Sequence, residues 1–137
     1  MSVEFNNKFI ISMLEGVEKE VIAELDKVAM VAHARLVSAT PVDTGQARAG
    51  WNFTLNKVDK KIPPKVKSTG AVIYPAPNSK PDAKAKTFSD SYHISNFVPH
   101  VTYLNQGSSS LNSEPKFVER EIRLAIRDVT GKWVLIL

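Results

Sequence analysis

The sequence contains no cysteine among its 137 residues. Disulfide bonds, thiolate nucleophiles and cysteine-ligated zinc sites are therefore excluded, which is consistent with synthesis in a reducing cytoplasm. Long apolar runs are also absent, since none approaches the ~20 residues that a membrane-spanning helix needs. The N-terminus has no basic start leading into an apolar stretch, so no signal peptide is predicted. We expect no membrane partner.

Patterns typical of catalysis or metal binding are equally scarce. The three histidines, His33, His93 and His100, show no ligand spacing. His33 lies beside an apolar helical face, where a packing role is expected. No glycine-rich phosphate loop is found, and no serine has the nucleophile-elbow pattern. We therefore predict a protein that is not an enzyme and that holds no metal and no cofactor.

One triplet, Asp43-Thr44-Gly45, matches the triplet that carries the catalytic carboxylate of aspartic proteases. In those enzymes two such carboxylates share a proton in a symmetric site, and each triplet follows an apolar strand. Here the triplet follows a predicted helix and Pro41, and a helical pattern comes after it. The favoured interpretation is a helix cap and a tight turn.

The net charge of +4 is concentrated in one segment. Eight lysines lie there against two aspartates, a net +6, which leaves −2 for the rest of the chain. These are Lys57, Lys60, Lys61, Lys65, Lys67, Lys80, Lys84 and Lys86. We call 57–86, which also holds five prolines, the lysine-rich segment. A stretch of this length is usually functional or mobile, and we predict a two-stranded projection with a strand near Val72–Tyr74.

A long helix precedes this segment. Apolar residues recur with a mean step near the helical period of 3.6. They are Ile10, Leu14, Val17, Val21, Leu25, Val28, Ala32 and Leu36. With Asn6 or Asn7 as the cap and Pro41 ending the helix, about 33 residues span ~50 Å. Because such a helix is longer than a globule of this size, part of its stripe needs a neighbour to cover it.

Shorter elements follow the helix. Asp43 or Thr44 is expected to cap a helical turn that Gly50 ends. Alternating apolar residues then predict a half-buried strand at Trp51–Leu55, and a second strand is predicted at Ser91–Phe97.

The C-terminal third predicts a further short ordered piece and a final helix. Val101, Tyr103 and Leu104 indicate the short piece, and Ser113 is predicted to cap the helix, with Pro115 in its first turn. The predicted apolar stripe of that helix consists of Val118, Ile122, Ala125, Ile126 and Val129. The apolar tail that begins at Trp133 is expected to be a buried strand or to dock on a partner. The order of elements predicts one α+β domain, 1–137, with helices on one face of a small, mostly antiparallel sheet.

Two stretches of the sequence resemble a family of small tailed-bacteriophage proteins. Thr40-Pro41-Val42-Asp43-Thr44-Gly45, followed by Ala47-Arg48-Ala49-Gly50-Trp51, is similar to the motif that links the first helix and first strand of neck or tail-completion proteins. The stretch from Asn96 to Gly107, with Pro115 and Phe117 after it, is similar to a second element of that family. This chain departs from the second pattern at His100 and at Asn105-Gln106.

The resemblance implies a structural subunit of the virion, in a ring at the head–tail junction. It implies a homo-oligomer of sixfold or twelvefold symmetry, synthesised in the host cytoplasm, whose partners are portal, adaptor or tail-tube proteins. The motif positions have an architectural interpretation. Asp43 and Thr44 are expected to cap the corner, Gly45 to allow close backbone approach, and Trp51 to anchor the strand against the helix. The motif positions are Pro41, Asp43, Thr44, Gly45, Trp51, Pro99, Tyr103 and Gly107.

The lysine-rich segment leaves alternatives open. Lys57, Lys60, Lys61, Lys65 and Lys67 predict contact either with an acidic neighbouring subunit or with packaged DNA, and a merely solvated loop is the third alternative. The alternative function is a basic DNA-binding module, since phosphate contacts need only positioned positive charge. Few aromatic residues for base stacking accompany these lysines, namely Tyr74 and Phe88 at the edge. The ends of the long helix and the tail from Trp133 are the other predicted interface elements.

Overall fold

A computed structural model describes residues 7–42, 45–64, 74–108 and 113–132, with side chains described from Leu14 onwards. The elements are α1 (Asn7–Ala39), α2 (Gln46–Ala49), β1 (Asn52–Leu55), β2 (Tyr92–Ser95), α3 (Val101–Gln106) and α4 (Phe117–Thr130). The predicted α+β class, with a long N-terminal helix, a C-terminal helix and a small antiparallel sheet, is confirmed.

Helix α1 has 33 residues, as the apolar period predicts. It ends where the Thr40 amide and hydroxyl both donate to the Leu36 carbonyl oxygen, at 3.1 and 2.6 Å, just before Pro41. Its buried side chains are Ile22, Ala29, Ala32, His33, Leu36 and Val37. The predicted stripe shares only Ala32 and Leu36 with this buried set, so its N-terminal half does not face the core.

The sheet consists of β1 and β2, paired antiparallel with Asn52 opposite Ser95 and Leu55 opposite Tyr92. The predicted alternation of burial in the first strand is wrong beyond Phe53. Thr54 is buried as well and Leu55 only half-buried, because the chain after β1 folds back and the Thr54 hydroxyl donates to the Lys57 carbonyl oxygen.

The predicted two-stranded projection does not appear in the described parts of the lysine-rich segment, 57–64 and 74–86. These parts lie against the sheet instead. The Asn52 side-chain amide donates to the carbonyl oxygens of Asp59 and Lys61, at 2.9 and 3.0 Å, and the Ser95 hydroxyl donates to the first of these at 2.7 Å. Tyr74 belongs to no strand, and Val72 and Ile73 lie outside the described residues.

The short ordered piece predicted at 101–104 is α3, and the predicted cap of α4 is wrong. Ser113 pairs with Ser108 in an isolated bridge, and α4 begins four residues later, after Lys116. Asn105 caps it instead. Its carbonyl oxygen accepts the Lys116 amide at 2.7 Å, and its side-chain oxygen accepts the Val118 amide at 3.0 Å. A cap supplied from α3 is a tertiary contact that the local pattern around 113 does not reveal.

The core lies between the C-terminal half of α1, the sheet, α3 and α4. Its buried members are Leu36, Val37, Ala47, Trp51, Val98, Val101, Leu104 and Phe117. Arg35 joins α1 to α4, with donors 2.9 Å from the Glu121 carboxylate and 2.7 Å from the Asp128 carboxylate. No helix within the described residues combines the length and apolar character needed to cross a membrane.

Candidate assembly surfaces

The corner after α1 is built around Trp51. The indole Nε1–H donates to the Thr40 hydroxyl at 2.8 Å, and that hydroxyl donates in turn to the Leu36 carbonyl oxygen. From α1, the buried ring of His33 donates its Nε2–H to the Trp51 carbonyl oxygen at 3.0 Å. Trp51 therefore fixes the start of β1 against α1. Asp43 and Thr44, the predicted caps of this corner, lie outside the described residues.

The two sequence motifs meet in space at α2. Gly45 precedes α2 in the left-handed region, at a φ of 86°. Gly50 follows α2, and a Cβ atom there would lie 2.5 Å from Val98 Cγ2 and 2.7 Å from Asn96 Oδ1. The Asn96 amide also donates to the Ala47 carbonyl oxygen at 2.7 Å. Residues from the first motif thus pack on residues from the second, a contact that neither motif predicts alone.

The remaining positions of the second motif divide into buried and exposed ones. Gly107 has a φ of 95°, and a Cβ atom there would lie 2.7 Å from Pro115 Cγ, so a side chain is excluded by space and by backbone conformation. Pro99 and Tyr103 are exposed, whereas Val101 and Leu104 are the buried residues of α3. Tyr103 is therefore a surface residue and not a core residue.

Helix α2 also holds the lysine-rich segment at two points. The Gln46 amide donates to the Pro63 carbonyl oxygen at 2.9 Å, and the Arg48 guanidinium donates to the Tyr74 carbonyl oxygen at 3.3 Å. These points flank 65–73, a stretch that includes Lys65 and Lys67 and lies outside the described residues. The buried Nε of Arg48 has no partner among the residues that the structure describes.

The N-terminal half of α1 carries an uncovered apolar stripe, which we call the α1 stripe. Leu14, Val17, Val21 and Leu25 are 58, 50, 48 and 39% exposed. Farther along the same stripe, Ala32 and Leu36 are buried. Helix α4, with 14 residues, is only ~21 Å long, so it covers α1 over less than half of the length of α1. The α1 stripe is the part of the predicted apolar face that lies beyond this cover.

A groove continues the α1 stripe into the body of the domain. It has a volume of about 430 Å³ and lies between α1, β2 and α4. Leu25 belongs to both the stripe and the groove, and Val28, Ile94 and Ile122 line the groove further in. The apolar surface left open to solvent is therefore continuous from Leu14 into the groove.

The α1 stripe is bordered by negative charge. Between Leu14 and Leu25 the helix carries four glutamates, Glu15, Glu18, Glu20 and Glu24, against Lys19. None of these glutamates takes part in an ion pair with another described residue. This half of α1 therefore presents apolar side chains bordered by carboxylates that pair with no cation in the described part of the chain.

A second surface, formed by 57–62 together with Phe97, has the opposite charge, and we call it the basic patch. Lys57, Lys60 and Lys61 are exposed. The Lys60 ammonium lies 5.9 Å from the centroid of the Phe97 ring, and Lys57 reaches Asp82 only at 4.0 Å. Exposed apolar side chains accompany the lysines, namely Val58, Ile62 and Phe97. Trp133, the remaining predicted interface residue, lies outside the described residues.

The structure contains two polar clusters that the sequence did not predict. The His33 ring, expected only to pack, is fully buried and lies 2.9 Å from the Ser79 hydroxyl and 5.3 Å from the Phe53 ring centroid. Burial lowers its pKa from the ordinary value of 6.5. The second cluster joins Asp26 to the Tyr92 hydroxyl, and burial raises the pKa of that hydroxyl. The sequence signal for each cluster is its helical spacing from an apolar residue. Asp26 follows Ile22 by four residues and His33 follows Ala29 by four residues, so each lies on the same side of α1 as a buried apolar side chain.

No group of three or more potential metal ligands occurs among the described residues. Comparisons of this chain with protein-family models, with curated proteins and with solved structures gave no match.

Proposed function

We propose that this protein is a structural subunit of the head–tail junction of a tailed bacteriophage and that it acts by assembling with other protein subunits, without catalysis. The single observation that carries the assembly part is the α1 stripe. Four large apolar side chains in a row, each exposed by more than a third, are a surface that water solvates poorly. Coverage by a neighbouring subunit removes this area from water.

The virion part of the proposal rests on the two motifs. The described residues of the first motif, 40–42 and 45–51, lie between α1 and β1, which is the position that the motif has in neck and tail-completion proteins according to the resemblance. Its contact with Asn96 and Val98 gives both motifs one architectural purpose. A rigid corner fixes the direction in which α1 extends from the domain, and a subunit in a closed ring needs such a fixed direction.

Counting the protein in purified particles tests this proposal. Quantitative mass spectrometry of particles from the source phage, normalised to the major capsid protein, should find about six to twelve copies per particle, as one cyclic ring requires. Hundreds of copies would assign the protein to the tail tube or to capsid decoration. Its absence from the particles would contradict a structural role in the virion.

A basic DNA-binding module is the second candidate. The observation that favours it is the exposure of all six described lysines of the lysine-rich segment, namely Lys57, Lys60, Lys61, Lys80, Lys84 and Lys86. Of the two aromatic side chains expected to stack on bases, Phe88 is exposed and Tyr74 is buried. Binding to duplex DNA should then weaken steeply with salt. Unchanged affinity after Lys60 and Lys61 are both replaced by glutamine would remove this candidate.

A further inference from the structure

The α1 stripe and the basic patch have complementary composition. The stripe has Leu14, Val17, Val21 and Leu25 among four glutamates and one lysine, whereas the patch has Val58, Ile62 and Phe97 among three lysines and one aspartate. That aspartate, Asp59, already accepts the Lys61 backbone amide at 2.9 Å. Both surfaces therefore combine exposed apolar area with charge, and the charges are of opposite sign.

The length of the stripe is within the maximal reach of the segment that forms the patch. Residues 14–25 of an α-helix extend over ~17 Å, and the six residues 57–62 can reach at most ~20 Å. Within one chain, no ion pair joins the glutamates of the stripe to the lysines of the patch. The charges of the two surfaces therefore do not neutralise each other by ion pairing within one chain.

From this complementarity we infer that the α1 stripe of one copy of this chain docks on the basic patch of the next copy. The inference rests on the proposed function and names the partner of the stripe. Val17, Val21 and Leu25 lie against Val58, Ile62 and Phe97 of the neighbouring copy, and lysines of the patch pair with Glu18, Glu20 and Glu24. The apolar contacts contribute most of the affinity, and the charges set the register and exclude like-charged pairings.

Such a contact is heterologous because two different surfaces of the same chain meet. Repeating it head to tail generates a ring when the rotation closes, and a filament when it does not. An isologous dimer would instead bring two α1 stripes together and place their glutamates side by side, where like charges repel. Charge therefore favours the head-to-tail arrangement over a pair of identical stripes.

Charge exchange between the two surfaces tests this inference. One variant carries Glu18→Lys, Glu20→Lys and Glu24→Lys, and the other carries Lys57→Glu, Lys60→Glu and Lys61→Glu. Sedimentation velocity should show an oligomer for the wild type. Each triple variant alone should have its self-association weakened by more than about 100-fold, since like charges then face each other across the interface.

Mixing the two variants provides the decisive result. A lysine-bearing stripe then faces a glutamate-bearing patch, and the unmodified surfaces face each other in the alternate interface. An equimolar mixture should therefore recover an oligomer with alternating subunits, and so should a single chain with all six substitutions. A wild type that stays monomeric, triple variants that assemble normally, or a mixture that stays dissociated would each overturn the inference.

Other occupants of the α1 stripe give different results. If the apolar tail of the same chain covers the stripe, deletion of 133–137 increases the binding of a fluorescent dye that reports exposed apolar surface. The triple variants then sediment like the wild type. If DNA occupies the basic patch, only the variant with Lys57→Glu, Lys60→Glu and Lys61→Glu loses affinity for duplex DNA, and mixing it with the other variant does not restore that affinity. Either result overturns the docking of a second copy.

This test and the particle count fail independently. A protein that is present in particles at ring stoichiometry but does not respond to charge exchange keeps its proposed function and loses the assigned contact. A protein that assembles through the two surfaces but is absent from particles keeps the contact and loses the virion role.

Discussion

Gly50 shows how a single residue connects the two halves of the chain. It lies at the end of α2, against Val98 and Asn96 from the segment after β2, so the first and second motifs touch where no side chain fits. His33 has a comparable role on α1, since its ring contacts Trp51 at the start of β1 and Ser79 in the lysine-rich segment. Both residues hold together parts of the chain that are distant in sequence.

Substitution of Gly50 by alanine should destabilise the fold by about 1–3 kcal/mol, because the new Cβ overlaps Val98 and Asn96 and the surroundings must move. Gly16→Ala is the matched control. Apart from the backbone of α1 itself, no atom of the described residues lies within 4 Å of a Cβ at that helical position, and alanine there should stabilise α1 by about 0.5–1 kcal/mol. Urea unfolding of both variants measures this difference. Equal effects of the two substitutions would contradict the close packing at Gly50.

His33 should make the stability dependent on pH. The Trp51 carbonyl can only accept, so the neutral ring carries its proton on Nε2 and accepts the Ser79 hydroxyl at Nδ1. Burial lowers the pKa of His33 in the folded state below 6.5. The unfolded state therefore binds a proton first as the pH falls, and the free energy of unfolding decreases below pH ~6.5 until the folded-state pKa is passed.

Urea unfolding of the wild type and of His33→Gln between pH 7.5 and 5 provides the measurement. The wild type should lose stability over this range more steeply than the variant, which has no titrating ring at this position. Parallel curves for the two proteins would show that burial of His33 does not govern this pH dependence.

At the scale of whole elements, the sequence predicts the regular parts well. The apolar period identifies α1 within one residue at its start, and the alternation after Trp51 identifies β1. The failures have a common physical cause, which is side-chain contact that local propensity does not encode. Asn105 of α3 caps α4 in place of Ser113, and the buried Thr54 hydroxyl donates to the carbonyl oxygen of Lys57, three residues farther along the chain. Strand alternation and capping propensity carry no information about either contact.

The packing of α1 on α4 depends on a buried carboxylate that the sequence analysis did not identify. Glu121 is buried and accepts a hydrogen bond from Arg35 at 2.9 Å, with Arg120 at 3.4 Å as its second cation. Hydrogen bonding from Arg35 also lowers the pKa of the exposed Asp128 carboxyl. One arginine on α1 thereby satisfies two carboxylates on α4.

Arg35→Met should therefore destabilise the fold by about 1–2 kcal/mol, because it leaves the Glu121 carboxylate with one cation in a largely desolvated position. Adding Glu121→Gln in that background should recover part of the loss. Arg123→Met is the control, since Arg123 belongs to no ion pair among the described residues. Chemical denaturation measures the free energy of unfolding of each variant. Equal losses of that free energy for Arg35→Met and Arg123→Met would contradict this role of Arg35.

At the scale of the whole molecule, the length of α1 is the feature with functional consequences. The sequence alone predicts that this helix exceeds the domain and that part of its apolar stripe needs a neighbour. The structure identifies that part, because the stripe is exposed from Leu14 to Leu25 and is buried at Ala32 and Leu36. The identity of the covering partner cannot be predicted from a single chain, since it depends on a surface outside the fold or on another copy of it.

If the α1 stripe is an assembly surface in a virion, a carboxylate placed within it should block assembly, and a pair of aspartate substitutions examines this. Val21 belongs to the stripe, whereas Ala23 is exposed on the same helix about 200° away around the axis. Each variant is supplied as the only source of the protein during phage growth, and its folding is checked by circular dichroism. The measurement is the number of copies per purified particle, by quantitative mass spectrometry.

We expect Ala23→Asp to enter particles at the wild-type copy number. Val21→Asp should be largely lost from particles, because a carboxylate at the centre of the stripe must be desolvated when a neighbouring subunit covers it. Incorporation of Val21→Asp at the wild-type copy number would contradict the claim that the α1 stripe joins this protein to its neighbours.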